Sequence, residues 1–136
     1  MDNNHTKHAR GFHLLEILIT LAIMTIFCAI TLPLYYKYDV HIDRLEAKAS
    51  LIQLAMNMER YHIENDTYIG MKLGGIRVST PQSYQLQIES MTQDDYLISA
   101  TPLSNQAAKD NICGTYTLTA LGVKGMRGKG SVRLCW

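Results

Sequence analysis

The sequence predicts an α+β protein in which one long amino-terminal helix, half transmembrane and half amphipathic, packs on a carboxy-terminal antiparallel sheet of about four strands. Three patterns predict it. Residues Ile17 to Tyr36 run for twenty positions without a charge, which as a helix rising about 1.5 Å per residue spans roughly 30 Å, the thickness of a bilayer's hydrocarbon core. Ile42, Leu45, Ala49, Ile52 and Met56 then recur at spacings of three and four, the period of one helix face. From Tyr84 the period changes to two: Tyr84, Leu86 and Ile88 alternate with Gln85, Gln87 and Glu89, as in a half-buried strand.

With 136 residues the chain has room for one small domain beside its membrane segment. Its formal charge of +1 gives no overall electrostatic case for nucleic acid. Residues 1–11, polar and short, form a leader without a fold of its own. Lys7 and Arg10 precede the apolar run and favour a cytoplasmic amino terminus, which sends the remainder outside. A cleaved secretory signal would have a shorter apolar region ending in a small-x-small site, whereas here the run continues to Tyr36. Tyr35, Tyr36 and Tyr38 cluster where amphipathic rings favour the membrane interface.

The membrane helix covers residues 12–36. Pro33 removes a backbone donor within it and is expected to kink or loosen the helix near Ile30. Residues 37–64 continue as the amphipathic half, ending where Asn65-Asp66-Thr67 supply turn chemistry. A sheet laid on the Ile42, Leu45, Ala49, Ile52 and Met56 stripe would bury it. Residues 65–83, with Gly70, Gly74, Gly75 and Pro81, are a connecting loop long enough to suggest function or flexibility. Residues 84–136 hold the candidate strands Tyr84 to Ser90, Tyr96 to Thr101, Thr115 to Ala120 and Ser131 to Trp136. Gln93-Asp94-Asp95 fits a hairpin turn, so antiparallel pairing is the economical arrangement.

Glu16 is the residue that apolar surroundings should exclude. A charged side chain costs about 2 to 3 kcal/mol at the bilayer centre and less near the ends, so Glu16 is a functional candidate in need of a positive partner. Cys28 lies among apolar residues and reads as a small packing residue. Cys113 and Cys135 fall in the exported segment without metal-site spacing, which makes them a candidate disulfide. Lys124, Arg127, Lys129 and Arg133 interleave with Gly122, Gly125, Gly128 and Gly130. That spacing matches neither a P-loop nor a dinucleotide fingerprint, and describes a mobile basic loop. Its sharper alternative is a contact with DNA or another anionic surface, although no aromatic residue interleaves the cations. The five histidines are scattered, no nucleophile and base converge, and neither metal, cofactor nor enzyme activity is expected.

Arg10-Gly11-Phe12-His13-Leu14-Leu15-Glu16, set against the apolar run, resembles the processing site of prepilins, the precursors of type IV pilins and of the related type II secretion pseudopilins. Gly11 matches the residue before the cut, Phe12 the new amino terminus and Glu16 the fifth mature residue. Pro33 matches a proline often found in pilin helices, while His13 departs from the small or hydroxylated residue common there. The resemblance implies that prepilin peptidase cuts between Gly11 and Phe12 and methylates the Phe12 amine. It also implies that the helix enters a fibre, with Glu16 meeting the amine of its own chain or of an adjacent subunit. The implied partners are other pilin subunits, the peptidase, the inner-membrane assembly platform and, before assembly, membrane lipid. The implied location is the inner membrane with a periplasmic head, then an extracellular pilus. The loop and the segment bounded by Cys113 and Cys135 are candidate subunit contacts, and the small head looks more like a minor pilin than a major one. The rival readings are a type II secretion pseudopilin and a signal-anchored periplasmic binding module that never polymerises.

Overall fold

The computed structural model describes the backbone of residues 9–75 and 78–136, and the side chains of residues 13–35, 38–74 and 78–136. Two compact units divide between Tyr38 and Asp39, and α1, Ala9–Asn65, contributes to both.

In the first unit every described side chain from His13 to Tyr35 is exposed, so this stretch contributes no buried side chain among the described residues. Its hydroxyls turn back to the helix: Thr20, Thr25 and Thr31 donate to the carbonyls of Ile17, Ala22 and Phe27 at 2.9, 2.8 and 2.9 Å. Internal satisfaction of this kind is what a bilayer demands of polar groups. Pro33 stands inside α1 without ending it, and its missing N–H leaves the Ala29 carbonyl without a helical donor. Residues 1–8 of the expected leader lie outside the described residues, and Gly11 and Phe12 are described only as helical backbone.

In the second unit α1 ends at Asn65, where Asp66 enters the left-handed region at φ 55°. The Asp66 amide donates to the His62 carbonyl at 2.8 Å, a helix ending that a short polar side chain tolerates better than a branched one. A 3₁₀ turn, Leu73–Gly75, follows in the connection to the sheet. The strands are β1 (Tyr84–Met91), β2 (Tyr96–Pro102), β3 (Thr115–Thr119) and β4 (Lys124–Arg127), an antiparallel meander in the order β1-β2-β3-β4. Two short helices complete the unit: α2 (Ser104–Lys109) between β2 and β3, and α3 (Val132–Cys135) after β4. Between Ile88 and Ser90 the register of β1 against β2 shifts by one residue, a bulge at Glu89.

The core lies between the sheet and one face of α1. Ala47, Leu51, Leu54 and Met58 are fully buried with Tyr84, Ile98 and Tyr116, and Leu86, Tyr96 and Leu118 close the cluster. This is not the stripe that spacing selects. Ile42, Leu45, Ile52 and Met56 remain 43 to 60% exposed, and at 3.6 residues per turn they fall on the side of the helix opposite Ala47, Leu51, Leu54 and Met58. The buried face instead carries Ala47 and Ser50, both 0% exposed. Small side chains let the chain approach the helix closely, and the Ser50 hydroxyl donates to the Ser79 carbonyl at 2.8 Å.

A second correction concerns the carboxy terminus. Ser131 to Trp136, expected as the fourth strand, contains α3, and the fourth strand is Lys124–Arg127 within the segment expected to be a mobile loop. Glycine made this edge strand hard to see, because Gly125 has no side chain to contribute to an alternating pattern. The structure also shows why glycine is there: a Cβ on Gly125 would run into the Thr117 hydroxyl on β3.

The two helix faces differ in a measurable way. Leu54→Ala should lower head stability by about 2 to 5 kcal/mol, whereas Ile52→Ala should stay within about 1 kcal/mol of the parent. Urea denaturation of the full chain in mild detergent, followed by Trp136 emission, gives both values. Equal losses would contradict the assignment of the buried face.

Candidate functional site

All twelve acidic residues of the chain occur at or before Asp110. Residues 111–136 carry Lys124, Arg127, Lys129 and Arg133 with no Asp or Glu among them, and the fold lays this segment along the β3–β4 edge of the sheet.

Asp110 positions the segment. Its carboxylate is 1% exposed and accepts from Arg44 Nε at 2.6 Å and Nη2 at 2.8 Å, and from the amides of Ile112 and Cys113 at 3.2 and 3.3 Å. Burial acts to raise the Asp110 pKa, but the Arg44 fork and the two amides outweigh it and hold the carboxyl below its ordinary value. The bond to Asp110 likewise raises the Arg44 pKa, against the opposing effect of burial.

Cys113 and Cys135, both buried, form a disulfide with Cα atoms 5.6 Å apart. Closing a loop with a sequence separation of 22 residues restricts the unfolded chain by about 3 kcal/mol in the chain-entropy account. Two backbone segments cross beside it. Gly114 has φ +62°, and a Cβ there would strike the Arg127 carbonyl; a Cβ on Gly128 would strike the carbonyls of Ile112 and Cys113. The Gly130 amide donates to the Ile112 carbonyl at 2.8 Å.

The cations around this crossing differ in their commitments. Arg127 makes a bidentate pair with Glu89 at the β1 bulge, at 2.8 and 2.5 Å, which raises the Arg127 pKa and lowers that of Glu89. Lys124 lies 5.3 Å from the ring centroid of Trp136, a cation–π contact. Trp136 is itself fixed: its indole N–H donates to the Gly125 carbonyl at 2.7 Å, and its ring meets Tyr116 edge-on at 5.6 Å. Lys48, from α1, donates to the Cys135 carbonyl at 3.1 Å. Burial, and then the positive charges of Arg44 and Lys124, push the Lys48 ammonium below its ordinary value. Lys129 and Arg133 are exposed, and among the described residues no ion pair engages Lys124, Lys129 or Arg133.

Of the residues singled out from sequence, Cys113, Cys135, Lys124, Arg127, Lys129 and Arg133 therefore belong to the segment along the β3–β4 edge, with Lys124 beside the hairpin tip and Arg127 towards the disulfide. Lys48 joins them across 87 positions of chain, and no local pattern announced it. Trp136 supplies Lys124 with an aromatic neighbour that spacing did not show. Glu16 is exposed on α1 and makes no ion pair among the described residues.

Elsewhere Glu59 accepts from the hydroxyls of Tyr68 at 3.0 Å and Tyr96 at 3.2 Å, with His62 stacked on Tyr68. Burial first, and then Glu59, raises the pKa of both phenols. This clamp ties the end of α1 to the connecting loop and β2. A pocket of about 150 Å³ is lined, among the described residues, by Leu73, Val78, Thr80, Gln85 and Leu86, none of which is an acid or a base.

A long apolar amino-terminal helix with a four-stranded antiparallel sheet on its outer half is the architecture of a type IV pilin subunit. The crystal structure of the Neisseria meningitidis non-core minor pilin PilV matches it with a TM-score of 0.55, covering 67% of this chain and 92% of that one at 19% identity, a likeness of fold. Residues 33–126 match the family model described as type IV minor pilin ComP, DNA uptake sequence receptor, and the chain belongs to that family. No curated protein matches the sequence. A minor pilin is a structural subunit and not an enzyme.

The depressed pKa of Asp110 gives the head an acid limit. Because the folded value lies below the unfolded one, the Arg44–Asp110 pair contributes its full stability above about pH 4 and loses it as pH falls through the folded value. Asp110→Asn should be less stable than the parent at neutral pH and lose less on acidification. Urea midpoints at neutral pH and on stepping below about pH 4 read the difference. Parallel loss in both proteins would remove Asp110 from that role.

Proposed function

We propose that this minor type IV pilin is a DNA receptor that works from within a pilus, holding DNA through Lys48, Lys124, Lys129 and Arg133 along the β3–β4 edge of its head. The observation that carries this reading is the segment 111–136, which has no Asp or Glu of its own and in which three exposed cations have no ion-pair partner among the described residues. The family description supports it, since that family is named for reception of a DNA uptake sequence. Arg127 is the exception within the set: its fork is engaged by Glu89, and it contributes chiefly by fixing β4 against β1.

Assembly follows from the first unit. Prepilin peptidase cuts between Gly11 and Phe12 and methylates the new amine, which keeps its charge. That amine meets Glu16, of the same chain or of the adjacent subunit, about one helical turn away. Removing one partner of such a pair strands a charge in apolar surroundings at a cost of roughly 3 to 5 kcal/mol, so the pair sets axial register. Before assembly the chain sits in the inner membrane with its head in the periplasm. Afterwards it lies among other pilin subunits outside the cell, delivered by the assembly platform. The exposed stripe of Ile42, Leu45, Ile52 and Met56 supports this, because an uncovered apolar face suits a subunit that acquires neighbours.

Two experiments test the two halves. Mass spectrometry of the membrane-extracted protein should find a chain beginning at methylated Phe12, and Glu16→Ala should be processed normally yet nearly vanish from the sheared fibre fraction; an intact Met1 would defeat the assembly reading. For DNA, the processed full chain in neutral detergent should bind a random-sequence duplex with strong salt dependence. Replacing Lys124, Lys129 and Arg133 together by Ala should flatten the slope of log K against log salt by about 2.7, at roughly 0.9 per phosphate contact. An unchanged slope would place the DNA elsewhere.

A further inference from the structure

The β3–β4 hairpin ends in Ala120-Leu121-Gly122-Val123; Ala120 packs against the core, whereas Leu121 and Val123 do not. Leu121 is 89% exposed and Val123 59%. The turn that carries them is nonetheless ordered. Gly122 takes φ +74° and donates its amide to the Thr119 carbonyl at 2.9 Å. The Thr119 amide donates to the Val123 carbonyl at 3.2 Å, and the Val123 amide donates to the Thr119 hydroxyl at 3.2 Å. A ligand that buries Leu121 would therefore find it presented on a built turn, with little backbone left to order.

The next residue in the chain is Lys124, held over the Trp136 ring and close enough to Lys48 to lower its pKa. An apolar tip thus stands directly beside cations, in a segment with no acid. Its occupant should combine negative charge outside with apolar surface inside. Duplex DNA has that chemistry: phosphates surround stacked bases, and apolar wedges such as Leu are able to part a base step while cations hold the backbone. We infer that Leu121, supported by Val123, is a wedge that presses against the bases of the DNA held by the basic β3–β4 edge. The inference rests on the DNA reading above and adds to it a residue that touches bases, where the lysines and Arg133 touch phosphate.

The test uses the processed full chain in neutral-detergent micelles and a random-sequence duplex carrying fluorescent aminopurine bases. Binding by the parent should brighten the aminopurine as a step unstacks. The double variant Leu121→Ser/Val123→Ser should keep the parent's salt slope, because its phosphate contacts are intact, but lose about tenfold or more in affinity, the worth of one buried Leu. The brightening should vanish with it. Unaltered Trp136 emission in the variant reports that the hairpin and α3 remain folded. Parent-like affinity in the variant, or binding by the parent without brightening, overturns the wedge while leaving DNA binding in place, and assigns the tip to another surface such as a neighbouring subunit. A parent that binds no duplex at all overturns the DNA reading and the wedge together.

Discussion

Asp110 is the point on which the head depends. A carboxylate with 1% of its side chain exposed is tolerated only where charge and hydrogen bonds replace the water it has lost. Arg44 on α1 and the amides of Ile112 and Cys113 make that replacement. Satisfying one acid thereby fixes the turn after α2 against the helix and delivers Cys113 to the core. The disulfide then brings Cys135, and with it α3 and Trp136, back across β4. Lys48 closes the arrangement by donating to the Cys135 carbonyl. The chain end is held to the helix and to the sheet by bonds of different kinds, and the cations it carries are presented on a fixed frame.

The same acid marks a change in the character of the chain. Up to Asp110 both signs of charge are mixed, and several of the acids find cations: Asp39 with Lys109, Glu64 with Arg60, Asp110 with Arg44. Beyond it the charged side chains are all cations, and among the described residues only Arg127 reaches back to an acid. A net charge of +1 averages over this separation and hides it. Phosphate responds to the local field within roughly a Debye length, about 8 to 10 Å at ordinary salt, so this edge of the head matters more to a polyanion than the sum over the chain.

The amphipathic half of α1 carries two apolar faces with different fates. The sheet takes the one with Ala47, Leu51, Leu54 and Met58, and it leaves the one with Ile42, Leu45, Ile52 and Met56 half exposed. Large aliphatic residues dominate the second face, which is why periodicity favoured it. Closeness of approach decided otherwise: a sheet with Tyr84, Tyr96 and Tyr116 on its inner side needs small positions such as Ala47 and Ser50 opposite, and a hydrophobic count gives those positions little weight.

Much of the fold was legible without coordinates, for reasons that are local. An uncharged run of twenty residues, the alternation of β1 and the two-sided composition of the helix each follow from the period of one element, and together they define a helix on an antiparallel sheet. The cysteine pair and the basic residues of the candidate site were visible as residue types. What chain order could not show were relations between distant segments. Only the tertiary structure decided which helix face met the sheet, that a glycine-bearing segment became β4 while Ser131 to Trp136 turned into α3, that Glu89 claimed Arg127, and that Lys48 joined the basic edge. Periodicity records the preference of a segment for its own conformation; partner choice is set by steric fit and by the cost of leaving a buried charge unpaired, and both arise only when segments far apart in sequence are brought into contact.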